Sequence, residues 1–337
     1  MSPAEVTPGS HDRTRDTGPQ PGGSAMPVVN IVVPCYNEEE VLPESARQLC
    51  ATIDAMVAEG LVDAASGIYF VDDGSRDRTW ALIEALNAQR PNRFHGIKLT
   101  RNRGHQNALL AGLRHVPGDA LVSIDADLQD DIAAIPAMVR KYVEGHEVVY
   151  GVRAARDTDT VFKRQSAWLY YALLRHLGVE IVPDHADFRL LGRRALDALG
   201  RFSETNVFLR AIVPQLGFRS AQVFYERHAR LAGESKYNLT RMIGLAINGV
   251  TSFSMTPLRF ITVIGFVVAM AAFLVGLWAI GLAIFTSRAV PGWASVVAPL
   301  TFLGGLQLFS MGVIGEYIGK IYLEVKRRPL FEIERML

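Results

Sequence analysis

Ala120-Leu121-Val122-Ser123-Ile124-Asp125-Ala126-Asp127-Leu128-Gln129-Asp130 runs a largely apolar strand straight into a group of carboxylates. Residues 120–124 have the length and the Val/Ile content of a strand buried on both faces. Asp125 and Asp127 are spaced by two, so both carboxylates can turn toward one point as the strand ends. Hard oxygen donors of this type suit Mg²⁺ or Mn²⁺, and such an ion in turn binds a diphosphate. Aspartates also crowd ordinary turns, so the pair alone is a weak signal, and its position at a strand end makes a metal site and a plain turn equal readings.

The same pattern repeats outward along the chain. Val28 to Val33 is a β-branched run ended by Pro34 and followed by Cys35-Tyr36-Asn37-Glu38-Glu39. Ile68 to Val71 stops at Asp72-Asp73-Gly74-Ser75, and Gly96 to Leu99 and Glu147 to Tyr150 complete five strands. Helical spacing fills the intervals at Glu39–Glu59, Asp77–Ala88, Asn107–His115 and Ile132–Glu144. Strand–helix alternation predicts an α/β fold with a mostly parallel sheet covered on both faces. Ligands of such sheets sit at the carboxyl ends of the strands, where these polar groups fall. One of Asp72 and Asp73 can accept from a nucleobase or ribose while the other caps the following helix. Tyr36 offers an aromatic face to a base.

Lys and Arg total 35 against 34 for Asp and Glu, a balance that gives no field for a nucleic acid partner. Charged residues are 20% and hydrophobic ones 49% of the 337 residues, but their placement is uneven. Between Phe260 and Gly315 only Arg288 is charged. The two uncharged runs, Phe260–Ser287 and Ala289–Gly315, each exceed the ~20 residues a helix needs to cross a bilayer. Arg288-Ala289-Val290-Pro291-Gly292 supplies a turn, so a transmembrane helical hairpin is expected. Arg241 and Arg259 flank one end and Lys320, Lys326, Arg327 and Arg328 the other. That bias puts the soluble domain and both termini in the cytoplasm. Residues 236–257 read as an amphipathic segment on the membrane surface, with an ordinary core helix as the alternative. Residues 1–26 read as a disordered tail without the apolar block of a signal peptide. Cys35 and Cys50 lack metal-ligand spacing and read as free buried thiols. The expected divisions are 1–26 tail, 27–235 α/β domain, 236–257 surface segment, 258–287 and 289–318 spanning helices, and 319–337 cytoplasmic tail.

Three further stretches narrow the reading: Leu99-Thr100-Arg101-Asn102-Arg103-Gly104-His105-Gln106-Asn107-Ala108-Leu109, Asp187-Phe188-Arg189-Leu190-Leu191, and Glu226-Arg227 through Arg230-Leu231-Ala232-Gly233-Glu234-Ser235-Lys236-Tyr237. With the three acidic strand ends, they resemble the polyprenyl-phosphate branch of the GT-A, family 2 glycosyltransferases, which includes dolichol-phosphate mannose synthases and bacterial undecaprenyl-phosphate glycosyltransferases. Gly315-Glu316-Tyr317-Ile318-Gly319-Lys320-Ile321-Tyr322 and Lys326-Arg327-Arg328-Pro329 resemble the bacterial members with two transmembrane helices. The resemblance covers about residues 28–330. It implies a GT-A (Rossmann-like) domain in which Pro34, Tyr36, Glu38, Val71, Asp73, Asp125, Ala126 and Arg153 bind the nucleotide sugar. It implies a Mg²⁺ or Mn²⁺ site at Asp125, Asp127 and Gln129. Arg227, Arg230, Ser235 and Lys236 would take the lipid phosphate, and Asp127, Asp187, Arg230 and Lys236 would act in catalysis. The implied reaction is inverting transfer from a nucleotide sugar to undecaprenyl phosphate at the bacterial inner membrane, for cell-envelope glycan modification. A UDP-sugar is favoured and GDP-mannose is possible. A homo-oligomer is also expected. One departure is Asp131, where many relatives carry Pro.

The acceptor in such a reaction is already anionic near neutral pH, so the main demand is electrostatic rather than for a strong base. Asp187 is either a base or acceptor-orienting group, or a structural carboxylate pairing with Arg189 or Arg193. A processive polysaccharide synthase would carry more helices and a Gln-x-x-Arg-Trp motif, which does not occur here. A catalytically idle scaffold would have eroded metal and basic motifs, and both are whole.

Overall fold

The computed structural model describes residues 26–153, 185–202, 209–226 and 293–337, together with 258, 260–268, 270–271 and 274. The strands are β1 Val29–Cys35, β2 Ile68–Asp72, β3 Phe94–Leu99, β4 Ala120–Ser123, β5 Val148–Arg153, β6 His185–Gly192, β7 Ser220–Tyr225 and β8 Ile333–Met336. The helices are α1 Leu42–Ala58, α2 Thr79–Gln89, α3 His105–His115, α4 Ile135–Val143, α5 Arg193–Gly200, α6 Leu209–Gln215 and α7 Trp293–Lys326. The five expected strands and four expected helices of the first 153 residues are all present, with shifted ends.

The strands form one eight-stranded sheet in the order β7-β5-β6-β4-β1-β2-β3-β8. β1 pairs in parallel with β2 and β4, β2 with β3, and β5 with β7. β6 runs antiparallel between β4 and β5, and β8 antiparallel along β3. The sheet is thus mixed, and β5 is separated from β4 by a strand that arrives later in the sequence. Alternation along β1 divides the core: Val29, Ile31 and Val33 face α1 and α4, whereas Val32 faces α3. α1 buries Leu42, Ala46, Leu49, Ile53 and Met56, a helical stripe, and its first turn carries the proline that a helix tolerates there. Burial on both faces explains why the central strands are nearly continuous apolar runs.

The last helix runs on to Lys326, eight residues beyond the expected 318, and within the expected 319–337 tail residues 333–336 form a strand of the sheet. Backbone bonds from Thr100 N–H to Glu332 O (3.0 Å) and from Leu337 N–H to Gly96 O (2.9 Å) fix that strand to β3. Along α7, Phe302, Leu308, Phe309, Met311, Ile318 and Val325 are exposed. Among the described residues no helix is long and apolar enough to cross a membrane. Most of 258–287, all of 236–257 and residues 1–25 lie outside the described residues, as do the readings made for them.

Candidate active site

The carboxyl ends of β1, β2, β4 and β5 open on one edge of the sheet because these strands run the same way. β6, being antiparallel, brings its amino end to that edge, and this carries Asp187 beside the β4 exit. Ser123 Oγ donates to the Asp187 carbonyl at 2.5 Å, tying the two strands where they meet.

His105, the first residue of α3, joins the two carboxylates. Its Nε2 lies 3.4 Å from Asp125 Oδ1 and 3.2 Å from Asp187 Oδ2. Gln106 Nε2 donates to Asp187 Oδ2 at 2.8 Å, and Arg189 Nη2 approaches Asp187 Oδ1 at 2.5 Å. Arg210 lies 3.4 Å away. Asp187 therefore pairs with Arg189, while Arg193 instead donates to the carbonyls of Val116 and Gly118. Burial raises the Asp187 carboxyl, but the His105 hydrogen bond and the charges of Arg189 and Arg210 outweigh it and hold the group well below the usual carboxylate range. A carboxylate so held is a weak base and a strong orienting group.

Asp125 is pushed the other way. Burial raises its carboxyl to about 6, opposed by His105 and reinforced by Asp187, Asp130 and Asp127. Its Oδ1 is buried without a hydrogen-bond partner among the described residues. A carboxylate oxygen with no hydrogen bond, only His105 Nε2 at 3.4 Å and other carboxylates around it is a fit for a cation, and the oxygen donors of Asp125, Asp127 and Gln129 suit a hard divalent one. Among the described residues no group of three or more His, Cys, Asp and Glu side chains could hold a metal, so any ion here would need ligands beyond those side chains. The loop turns at Leu128, whose φ of 55° is left-handed and costs a non-glycine residue about 1 kcal/mol or more. Burial of its side chain in the core holds it there.

Arg153, at the end of β5, donates toward Tyr225 Oη (3.3 Å) and Asp130 Oδ1 (3.5 Å), and Tyr225 Oη donates to Asp130 at 2.5 Å. This triad anchors the guanidinium next to the acidic loop. At the β1 exit Tyr36 is exposed. The backbone of Glu38 donates to Thr79 Oγ1 at 2.9 Å, stitching the first loop to the second.

Four residues expected at the nucleotide also make contacts within the fold. Val71 is fully buried within the core and pairs with Pro34 across β1 and β2. Ala126 is also buried, its carbonyl accepting from Ser45 Oγ at 2.6 Å on α1. Asp73 accepts from the N–H groups of Arg103 (2.7 Å) and Gly104 (2.9 Å), so its first task is to hold the β3–α3 loop. Gly74 packs beneath that loop at φ 68°, where an added Cβ would come within 2.6 Å of the Arg101 backbone. Arg227, Arg230, Ser235 and Lys236 lie outside the described residues. His105, Gln106 and Arg210 are the site residues to which the sequence alone assigned no role; the first two lay within a quoted stretch and Arg210 in none.

Residues 30–200 match the sequence profile of Glycosyl transferase family 2. The chain belongs to glycosyl transferase family 2. Its match to this family is accompanied by a match of residues 256–321 to the GtrB C-terminal hairpin. Among family 2 relatives, the uncharacterised glycosyltransferase YkoT of Bacillus subtilis is 50% identical over 312 residues, 92% of each chain. A prophage bactoprenol glucosyl transferase homolog of Escherichia coli is 38% identical, covering 91% of this chain and 99% of its own. The bactoprenol glucosyl transferase of Shigella phage SfX is 39% identical, covering 91% and 98%. Among solved structures, a Pyrobaculum calidifontis mannosyltransferase in complex with GDP-Man and Mn²⁺ aligns at 19% identity and a TM-score of 0.45, covering 91% of this chain and 87% of that one. As a family 2 member the protein is a glycosyltransferase with a GT-A domain and a C-terminal hairpin region.

Proposed function

We propose that this glycosyltransferase moves a sugar from a nucleotide sugar to a polyprenyl phosphate at the membrane face. The observation that carries the reading is the meeting of Asp125, His105 and Asp187 at the carboxyl edge of the sheet, beside Asp127 and the anchored Arg153. The bactoprenol relatives support the lipid acceptor. The exposed apolar side chains of α7 support a membrane location for its residues, because so large an apolar surface needs a cover. A hairpin anchored in the bacterial inner membrane, with the α/β domain on the cytoplasmic side, fits that surface and the flanking basic residues.

Asp125, Asp127 and Gln129 would hold Mg²⁺ or Mn²⁺, which supplies positive charge to the diphosphate leaving group. Tyr36 offers a face to the base. Arg153 faces the leaving diphosphate, held in place by Asp130 and Tyr225. An oxygen of the acceptor phosphate attacks the anomeric carbon, the bond to the diphosphate oxygen breaks, and the configuration inverts. The attacking oxygen is already ionised, so no proton leaves it, and Asp187 acts by fixing His105 and Arg210. Arg230 and Lys236 are assigned to the acceptor phosphate. A UDP-sugar is the preferred donor, with UDP-glucose first to be tried.

Purified full-length protein, undecaprenyl phosphate and a panel of nucleotide sugars test the proposal, with the lipid product identified by mass. Asp127→Ala should abolish both product and Mn²⁺-dependent donor binding; near-normal turnover by the folded variant would sink the metal assignment.

A further inference from the structure

A basic cleft lies between the β3–α3 loop and the segment that follows α7. Arg101, Asn102, Arg103, Gly104 and Asn107 form one wall of a cleft of about 490 Å³, and Arg328, Pro329 and Leu330 form the other. No acidic residue lines it. Among the described residues none of the three guanidinium groups pairs with a carboxylate, although most arginines of the domain do. Two polar atoms of this wall, Arg103 Nε and Asn107 Oδ1, are buried without a hydrogen-bond partner among the described residues.

Both walls are fixed. Asp73 holds the backbone of Arg103 and Gly104 at 2.7 and 2.9 Å. The opposite wall leaves α7 through Arg327, whose φ of 45° turns the chain sharply, and is tied down by Thr100 N–H to Glu332 O and by Phe331 against His115. The cleft therefore opens within a few residues of Val325 and Leu323, exposed apolar side chains at the end of the long helix.

We propose that this cleft binds the phosphate of a lipid headgroup, separately from the sugar-transfer site. Guanidinium forks match phosphate oxygens in pairs, and Arg101 and Arg328, exposed on the two walls, supply one from each side. The neighbouring apolar surface sets the acyl chains beside the helix that ends there. The proposal rests on the membrane placement given above, but not on sugar transfer.

Native mass spectrometry of the full chain in neutral detergent tests it, with dihexanoyl phosphatidic acid, dihexanoyl phosphatidylcholine and inorganic phosphate as probes. Phosphatidic acid should bind, and phosphatidylcholine should bind at least about tenfold more weakly. Arg101→Gln with Arg328→Gln should weaken phosphatidic acid about tenfold or more, as expected for losing charge-assisted bonds. Arg328→Gln alone, on an exposed residue, should weaken it severalfold, which covers the case of a double variant that fails to fold. Unchanged affinity in these variants, or equal binding of phosphatidylcholine, overturns the site. Inorganic phosphate binding as tightly as phosphatidic acid overturns the lipid assignment. Because binding is read without turnover, a protein inactive in transfer that still binds phosphatidic acid supports the cleft and counts only against the proposed reaction.

Discussion

Replacing Asp187 by Asn separates a base from an orienting carboxylate. Asp187 is only 6% exposed, and the Arg189 side chain facing it at 2.5 Å is 1% exposed. The Arg189 Nε is already without a hydrogen-bond partner among the described residues, and Nη1 reaches the Leu209 carbonyl at 3.2 Å. Removing the negative charge leaves a buried guanidinium uncompensated, a change that costs about 3–5 kcal/mol. The new amide also turns one donor toward Gln106 or His105, which already donate there. For a domain of this size the loss lowers the melting temperature by roughly 10 °C. Melting of the full chain in detergent, followed by intrinsic fluorescence, reads the loss. Replacing Arg189 by Gln in the same protein should recover part of it, because the unpaired charge is gone. Donor binding should weaken with stability, since His105 and Arg210 lose their anchor. A variant that melts like the parent, binds donor normally and yet transfers no sugar would refute this reasoning and make Asp187 the base.

Burial places the Asp125 carboxyl at about 6, above the ~3.9 of an unfolded chain, so the fold favours its protonated form. Metal-free protein should thus gain stability from this group as pH falls from about 6 toward 4, and Mn²⁺ affinity should fall across the same window as the proton competes; calorimetric Mn²⁺ affinity that stays flat between about pH 5 and 7.5 contradicts this. Tyr225→Phe removes the hydroxyl that joins Asp130 to Arg153, costing about 1–3 kcal/mol of stability and raising the KM for nucleotide sugar severalfold. Steady-state kinetics and melting on one preparation check both effects, and an unchanged KM removes Arg153 from the donor site. Truncation after Glu332 strips β8 from β3 and breaks the 2.9 Å Lys98–Glu334 ion pair, exposing a sheet edge. The truncated protein should melt earlier and associate with rising concentration in size-exclusion chromatography; a monodisperse protein of parental stability would make β8 dispensable.

Much of this protein could be read from the order of its residues alone. Apolar strands stopped by polar residues are local patterns, and they located β1 to β5, α1 to α4 and the acidic exits of Asp73, Asp125 and Asp127. Absence of charge between Phe260 and Gly315, Arg288 apart, is equally local and made the hairpin expectation. Pairing partners are not local. The antiparallel entry of β6 between β4 and β5 depends on contacts across more than sixty residues, such as Ser123 with Arg189. That entry sets Asp187 beside Asp125 and lets His105 bridge them. The opposite pKa shifts of the two carboxyls follow from what surrounds each one, not from their shared residue type. Likewise nothing in Arg328 or Arg103 marks them as neighbours; only the return of the chain along β3 closes a basic cleft between them. Val71 and Ala126 carry the same lesson in reverse, because sequence position puts them at a strand exit while packing turns them into the core.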